Sequence, residues 1–324
     1  DRILNSVLRK IGFDKVFTTG TGTDICIKEL SDQLMKNVEN NADQPLYITA
    51  CPAWVKFAEQ FIPSVIPQLS TIKSPQQLTG ALIKTLIASQ ADIKPEKIFS
   101  VSATPCMAMK FEARREGMVR KGISDVDSVM TVRELARLIR LYGIDVSNIE
   151  PEPADDPLAG RSSAAALAEV SGGMAEAIIR SVYYRINKKD LDKQNFKRLR
   201  SGAAFRESTF NAGDREINVA VVDGLTGLPE LRKSMDSGKK YDLIEVMTCP
   251  GGCVNGAGLP FSVSGNDKKN RAKMIYQADE ADPINLPCKS PLIIYFYDKT
   301  LKENSEISDS KIFHIHFEKR NVLL

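Results

Sequence analysis

The stretch that most constrains this chain is Glu245-Val-Met-Thr-Cys-Pro-Gly-Gly-Cys253. It starts inside an apolar run, Tyr241-Asp-Leu-Ile-Glu-Val-Met247, that has the length and composition of a buried strand. Proline and glycines then stop the run, and two cysteines four positions apart stand among small residues. Glycines let a backbone pass close to something bulky, and their free amides can donate to sulfur or to an anion. A thiol pair in such a turn at a strand end suits a metal centre.

Two other strand candidates end the same way. Leu46-Tyr-Ile-Thr49 runs into Cys51, and Lys97-Ile-Phe-Ser-Val-Ser102 runs into Cys106. Each cysteine leads into a helical pattern, Pro52 to Phe61 in one case and Met107 to Arg115 in the other, and Pro52 suits a first helical turn. In open α/β sheets, sites form outside the carboxyl ends of strands. Three such ends can therefore bring Cys51, Cys106, Cys249 and Cys253 to one four-thiolate site.

The remaining content narrows the chemistry. The 324 residues are 43% hydrophobic and 26% charged, as in a soluble globular chain with room for one large or two ordinary domains. A net charge of +3 gives no reason to expect a nucleic acid partner, and no apolar run reaches membrane-span length. Cysteine density is too low for a disulfide scaffold. The two histidines, His314 and His316, lie near the C-terminus, which disfavours a Ser-His-Asp hydrolase or a histidine-rich metal site in the core. Taken alone, Cys249 to Cys253 fits a disulfide, half a zinc site or half an iron-sulfur site. Zinc usually takes two tight cysteine pairs, and Cys51 and Cys106 are far apart in sequence, so the iron-sulfur reading leads. Cys26 and Cys288 read as buried small hydrophobes. A carboxylate at Glu169 reads as solvent-facing.

In order, helices are expected over 1–12, 24–41, 52–61, 75–91, 107–115, 132–143, 173–186, 225–237 and 271–276. Strands are expected over 13–17, 46–49, 97–102, 125–130, 217–222 and 241–247. Thr131 and Glu134 form a capping box, and Ser74 is an N-cap followed by Pro75. Thr18 to Thr23 reads as a turn with a weak claim on phosphate. The acidic, proline-rich stretch 150–162 is the expected boundary between a first lobe, 1–150, and a second, 151–265, with a C-terminal extension over 266–324.

At these residues the chain resembles the catalytic domain of the FeFe hydrogenases. The family signatures T-S-C-C-P-G-W, M-P-C-x-x-K-x-x-E and E-x-M-x-C-P-G-G-C-x-x-G-G-G-Q-P stand here as Ile48 to Trp54, Thr104 to Glu112 and Glu245 to Pro260. The similarity runs through nearly all of the chain. It implies an α/β fold of two lobes with mainly parallel sheets and an iron-sulfur centre between them. It implies a 4Fe-4S cluster on Cys51, Cys106, Cys249 and Cys253, with Cys253 bridging to a diiron unit that bears CO, cyanide and azadithiolate. Ser74, Gln76, Thr104, Pro105, Met109 and Met247 would line the cofactor. The implied reaction interconverts H2 with two protons and two electrons, served by a ferredoxin-like partner. Asp1 is not an initiator methionine, so a ferredoxin-like domain with further 4Fe-4S clusters is expected upstream. A cytoplasmic location is expected.

The departures point one way. The relay cysteine of the family is Ala50, the two glutamates of its proton path fall at Leu30 and Gln33, and the cyanide-contacting lysine is Met109. Ser70 of that path survives. A methyl group cannot relay a proton. The pattern is similar to the sensory, group D-like members, and it implies slow turnover and H2 or redox sensing, with a signalling kinase or phosphatase downstream. Glu169 is a candidate for a replacement proton route. An iron-sulfur scaffold or electron-transfer protein without diiron is the alternative.

Overall fold

The computed structural model describes residues 2–155, 160–261, 266–303 and 312–322. Its centre is a four-stranded sheet in the order β1-β8-β7-β6, made of β1 (Leu46–Tyr47), β6 (Phe205–Ala212), β7 (Arg215–Asp223) and β8 (Leu243–Met247). β1, β8 and β7 run parallel, and β6 pairs antiparallel with β7 through a turn at Gly213. β8 is buried along its whole length, as a central parallel strand must be. Among the described residues two smaller sheets complete the set. β2 (Val101–Thr104) pairs in parallel with β5 (Ser128–Thr131), and β3 (Val119–Arg120) forms a short antiparallel pair with β4 (Ile123–Ser124).

The helices Gly20–Glu39, Pro75–Leu82 and Gly173–Asn187 cover one face of the main sheet. Ile27, Leu30, Leu34, Leu78, Leu82, Ile178 and Val219 are fully or almost fully buried between them. On the other face Trp54 packs against Tyr47, Val222, Ile244 and Val246. The sheet is therefore covered on both sides, the arrangement expected of an α/β fold.

Several expectations change here. Residues 13–17 form no strand, because they find no partner strand. Val16 instead accepts the Asp155 amide at its carbonyl and donates its own amide to the Asp155 carboxylate. Thr18 to Thr23 is not a phosphate turn, since the helix already begins at Gly20. The glycines serve packing: a Cβ on Gly22 would lie 2.6 Å from the Pro75 carbonyl oxygen, so this helix approaches its neighbour only without a side chain. The helix after Cys106 is one short segment, Ala108–Glu112. The strand β6 was not expected at all. Cys26 is buried as expected, while Cys288 is only partly so. The expected boundary stretch lies partly outside the described residues, at 156–159.

Candidate metal centre

Three chain segments carry the four cysteines to strand ends. Cys51 leaves β1 with extended backbone and caps the helix Pro52–Phe61, whose first residue is proline. Its Sγ lies 3.6 Å from the Thr248 hydroxyl at the end of β8. Cys106 follows β2, and its amide donates to Thr104 Oγ1 at 3.2 Å. The Cys249–Cys253 turn follows β8, with Gly251 at φ 89° and Gly252 at φ 93°. Only glycine holds such angles without strain.

The turn is pinned from three sides. The Gly251 amide donates to Asp223 Oδ1 at 2.5 Å. The Ser171 amide donates to the Gly251 carbonyl, and the Val254 amide donates to the Glu169 carbonyl. A Cβ on Gly252 would lie 2.6 Å from that same Glu169 oxygen. Next along the chain, the Gly258 amide donates to the Pro105 carbonyl at 2.7 Å. A Cβ on Gly256 would lie 2.4 Å from that carbonyl oxygen. The glycines after Cys253 thus fix the Cys106 segment against the Cys253 segment.

Three of the thiols are raised by burial and by their neighbours. Burial pushes Cys106 up to about 11, and Cys51 and Cys249 add to the shift. Burial also raises Cys249, with Cys51 contributing. Cys253 is raised far above the ordinary thiol range by burial, then by Cys51, Cys106, Glu169 and Cys249. Half-buried thiols that raise one another ionise more readily beside a compensating cation, so the donor chemistry fits a thiolate-bound metal such as iron. Among the described residues no three His, Cys, Asp or Glu side chains converge on a single metal ion.

The lining positions are ordered. Gln76 accepts from Ser102 Oγ at 2.7 Å and donates to the Met109 carbonyl at 3.4 Å. Ser74 caps its helix by accepting the Gln77 amide, and it donates to Glu112 Oε2 at 2.7 Å. Thr104, Met109 and Met247 are buried, Pro105 is half-buried, and Ala50 packs against the core. Leu30 is locked in that core, and Ser70 donates to the Gln33 carboxamide oxygen at 2.7 Å. Glu169 is exposed, yet loss of hydration raises its carboxyl pKa, with Arg161 opposing. The supporting roles of three residues were not legible in the sequence. Thr248 and Asp223 carry no local signal, and Glu245 showed only as the first letter of the third signature.

Parallel strand ends of two sheets carry the four cysteines, a donor set of the kind that holds iron-sulfur clusters. The family "Iron only hydrogenase large subunit, C-terminal domain" matches residues 2–257, and the chain belongs to it. It is 35% identical over 98% of its length to the NADP-reducing hydrogenase subunit HndD of Solidesulfovibrio fructosivorans, and covers 56% of that protein. It is 32% identical over 79% of its length to cytosolic iron-sulfur assembly component 3 of Pongo abelii, covering 56% of it. The chain thus spans little more than half the length of these relatives. The solved [FeFe]-hydrogenase HydA(deltaEFG) aligns with a TM-score of 0.85 at 27% identity, over 99% of this chain and 88% of the other.

Proposed function

We propose that this chain is a slow FeFe hydrogenase that interconverts H2 with two protons and two electrons and serves H2 or redox sensing. Its two lobes, 1–150 and 151–265, with the extension 266–324, would hold a 4Fe-4S cluster on Cys51, Cys106, Cys249 and Cys253. Cys253 would also bridge to the diiron unit with its CO, cyanide and azadithiolate ligands, which supplies the H2 chemistry when bound. The observation that carries the reading is the pairing of a complete cysteine set with a dismantled proton route. Four thiols share one electrostatic environment, while Ala50 and Leu30 are apolar and Gln33 is neutral.

The remaining residues have assignable work. Ser74, Gln76, Thr104, Pro105, Met109 and Met247 shape and dry the cofactor wall. Glu169, whose carboxyl is raised by lost hydration and adds to the shift of Cys253, would hold or release a proton at its carboxyl. Ser70 keeps a hydroxyl that passes to an amide instead of an acid. With a standard relay missing, rates fall by about 10² to 10⁴. Electrons would come from a ferredoxin-like partner or upstream 4Fe-4S clusters, and a kinase or phosphatase would read the signal in the cytoplasm. Among the described residues no helix is long and apolar enough to cross a membrane.

An infrared spectrum of the matured protein, first under argon and then under H2, tests this reading. Sharp CO and cyanide bands that shift with H2 are expected. Their absence, after maturation that works on a standard hydrogenase, would favour a cluster-only scaffold. That second reading is supported by the similarity to the iron-sulfur assembly component.

A further inference from the structure

Thr248 stands at the meeting point of two parallel strands. β1 and β8 pair Leu46 with Leu243 and Tyr47 with Ile244. The same offset, carried past the strand ends, sets Cys51 opposite Thr248, and their side chains meet at 3.6 Å between Sγ and Oγ1. The contact is therefore a product of sheet register, not of a loose loop. Among the described residues it is the only side-chain hydrogen bond that Thr248 makes.

The direction of this bond follows from chemistry. A threonine hydroxyl has one proton to donate and two lone pairs to accept with. A cysteine that ligates iron is a thiolate and has no proton to share. Once Cys51 binds metal, the O–H of Thr248 therefore donates to sulfur. Hydrogen bonds to cluster sulfurs are among the levers that set reduction potential. They draw negative charge off the sulfur, and so favour the reduced, more negative cluster.

We propose that Thr248 tunes the iron-sulfur cluster by donating a hydrogen bond to the Cys51 thiolate, which raises the cluster's reduction potential. The proposal rests on the reading that Cys51 ligates the cluster. It makes Thr248 a positioning residue that acts through Cys51 and touches no substrate.

The test uses the full chain, reconstituted without oxygen from iron and sulfide alone and titrated electrochemically with EPR detection. Thr248→Val removes the hydroxyl at nearly constant shape. It should keep the cluster and lower the ratio of reduced to oxidised cluster at a fixed potential by about two- to tenfold. Thr248→Ser should titrate with the parent, and Thr248→Ala should follow the valine variant if that one folds poorly. Hydroxyl-free variants that bind the cluster and titrate with the parent would overturn the proposal. Cys51→Ser with an unchanged cluster content and spectrum would instead overturn the ligand assignment on which it stands. Neither result depends on diiron or on turnover.

Discussion

Glu245 accepts the backbone amide of Gly172 at 2.7 Å through one carboxylate oxygen, and the amide of Ala175 at 2.7 Å through the other. β8 is thereby fastened to the start of the helix Gly173–Asn187, where free amides and the helix dipole favour an acceptor with negative charge. The same strand delivers Cys249, and the residues just before the helix, Glu169 to Ser171, brace the cysteine turn. One buried carboxylate therefore sets the spacing between the cysteine turn and the start of this helix.

Glu245→Ala should be severely destabilising. It strands two buried amides, and each unsatisfied group costs about 1–3 kcal/mol. Denaturant unfolding of the apo chain should show a loss of roughly 2–5 kcal/mol in all. A loss under about 0.5 kcal/mol would mean that the helix start is held by other contacts.

Glu112 gives a pH dependence with a definite sign. It is fully buried, and burial raises its carboxyl from 4.5 to about 7, against the Ser74 hydrogen bond and the charge of Arg115 and Lys73. The folded chain therefore keeps a proton that the unfolded chain gives up between those two values. That contribution to stability is complete below pH 4.5 and is lost as the pH rises through about 7. Glu112→Gln removes the titration. Relative to the parent, the variant should gain on the order of 2–3 kcal/mol between pH 5 and pH 8. An equal difference from the parent at both pH values would show that Glu112 titrates normally.

The part of this molecule that could be read from its sequence was the part encoded locally. Strand-cysteine-helix segments announce themselves, because an apolar run, a breaker and an amphipathic stretch all lie within about 20 residues. The Thr131 capping box and the Ser74 N-cap were legible for the same reason, and both form. β6 was not legible. Its polar Arg206 to Thr209 separate Phe205 from Phe210, and only pairing with β7 makes a strand of it. The apolar residues of 13–17 misled in the opposite sense, since a strand needs a partner and this stretch has none. Thr248 beside Cys51 and Asp223 beneath Gly251 depend on register between distant segments, which no local pattern carries.

Asp223 should decide how firmly the cysteine turn keeps its metal. Its Oδ1 holds the Gly251 amide, and Arg206 lies 3.9 Å from its other oxygen. Asp223→Ala frees that amide and loosens the turn, and loss of such a supporting contact typically costs about 10- to 100-fold in metal affinity. Asp223→Asn keeps an acceptor in place and should retain most of the affinity. Chelator competition followed by cluster absorbance measures both. If alanine and asparagine behave alike, the bond to Gly251 does not support the site.

Ala50→Cys tests whether the proposed proton route is interrupted at one point or several. The new thiol can exchange a proton with its surroundings, but the next groups cannot continue the transfer. Leu30 is buried among Ile27, Leu34 and Leu78, and a side chain of carbon and hydrogen carries no proton. Gln33 accepts from the Ser70 hydroxyl through a carboxamide, which does not titrate near neutral pH. The single substitution should therefore raise turnover of the matured protein by less than about tenfold, a small part of what a complete acid-base relay supplies. Adding Gln33→Glu restores a titratable partner for Ser70 and should increase turnover further, with a new pH dependence. Leu30→Glu places a charge in an apolar core and should cost stability before it aids transfer. A gain of 100-fold or more from Ala50→Cys alone, measured as H2 evolution with a chemical reductant, would refute the broken route and leave Ala50 as its single defect.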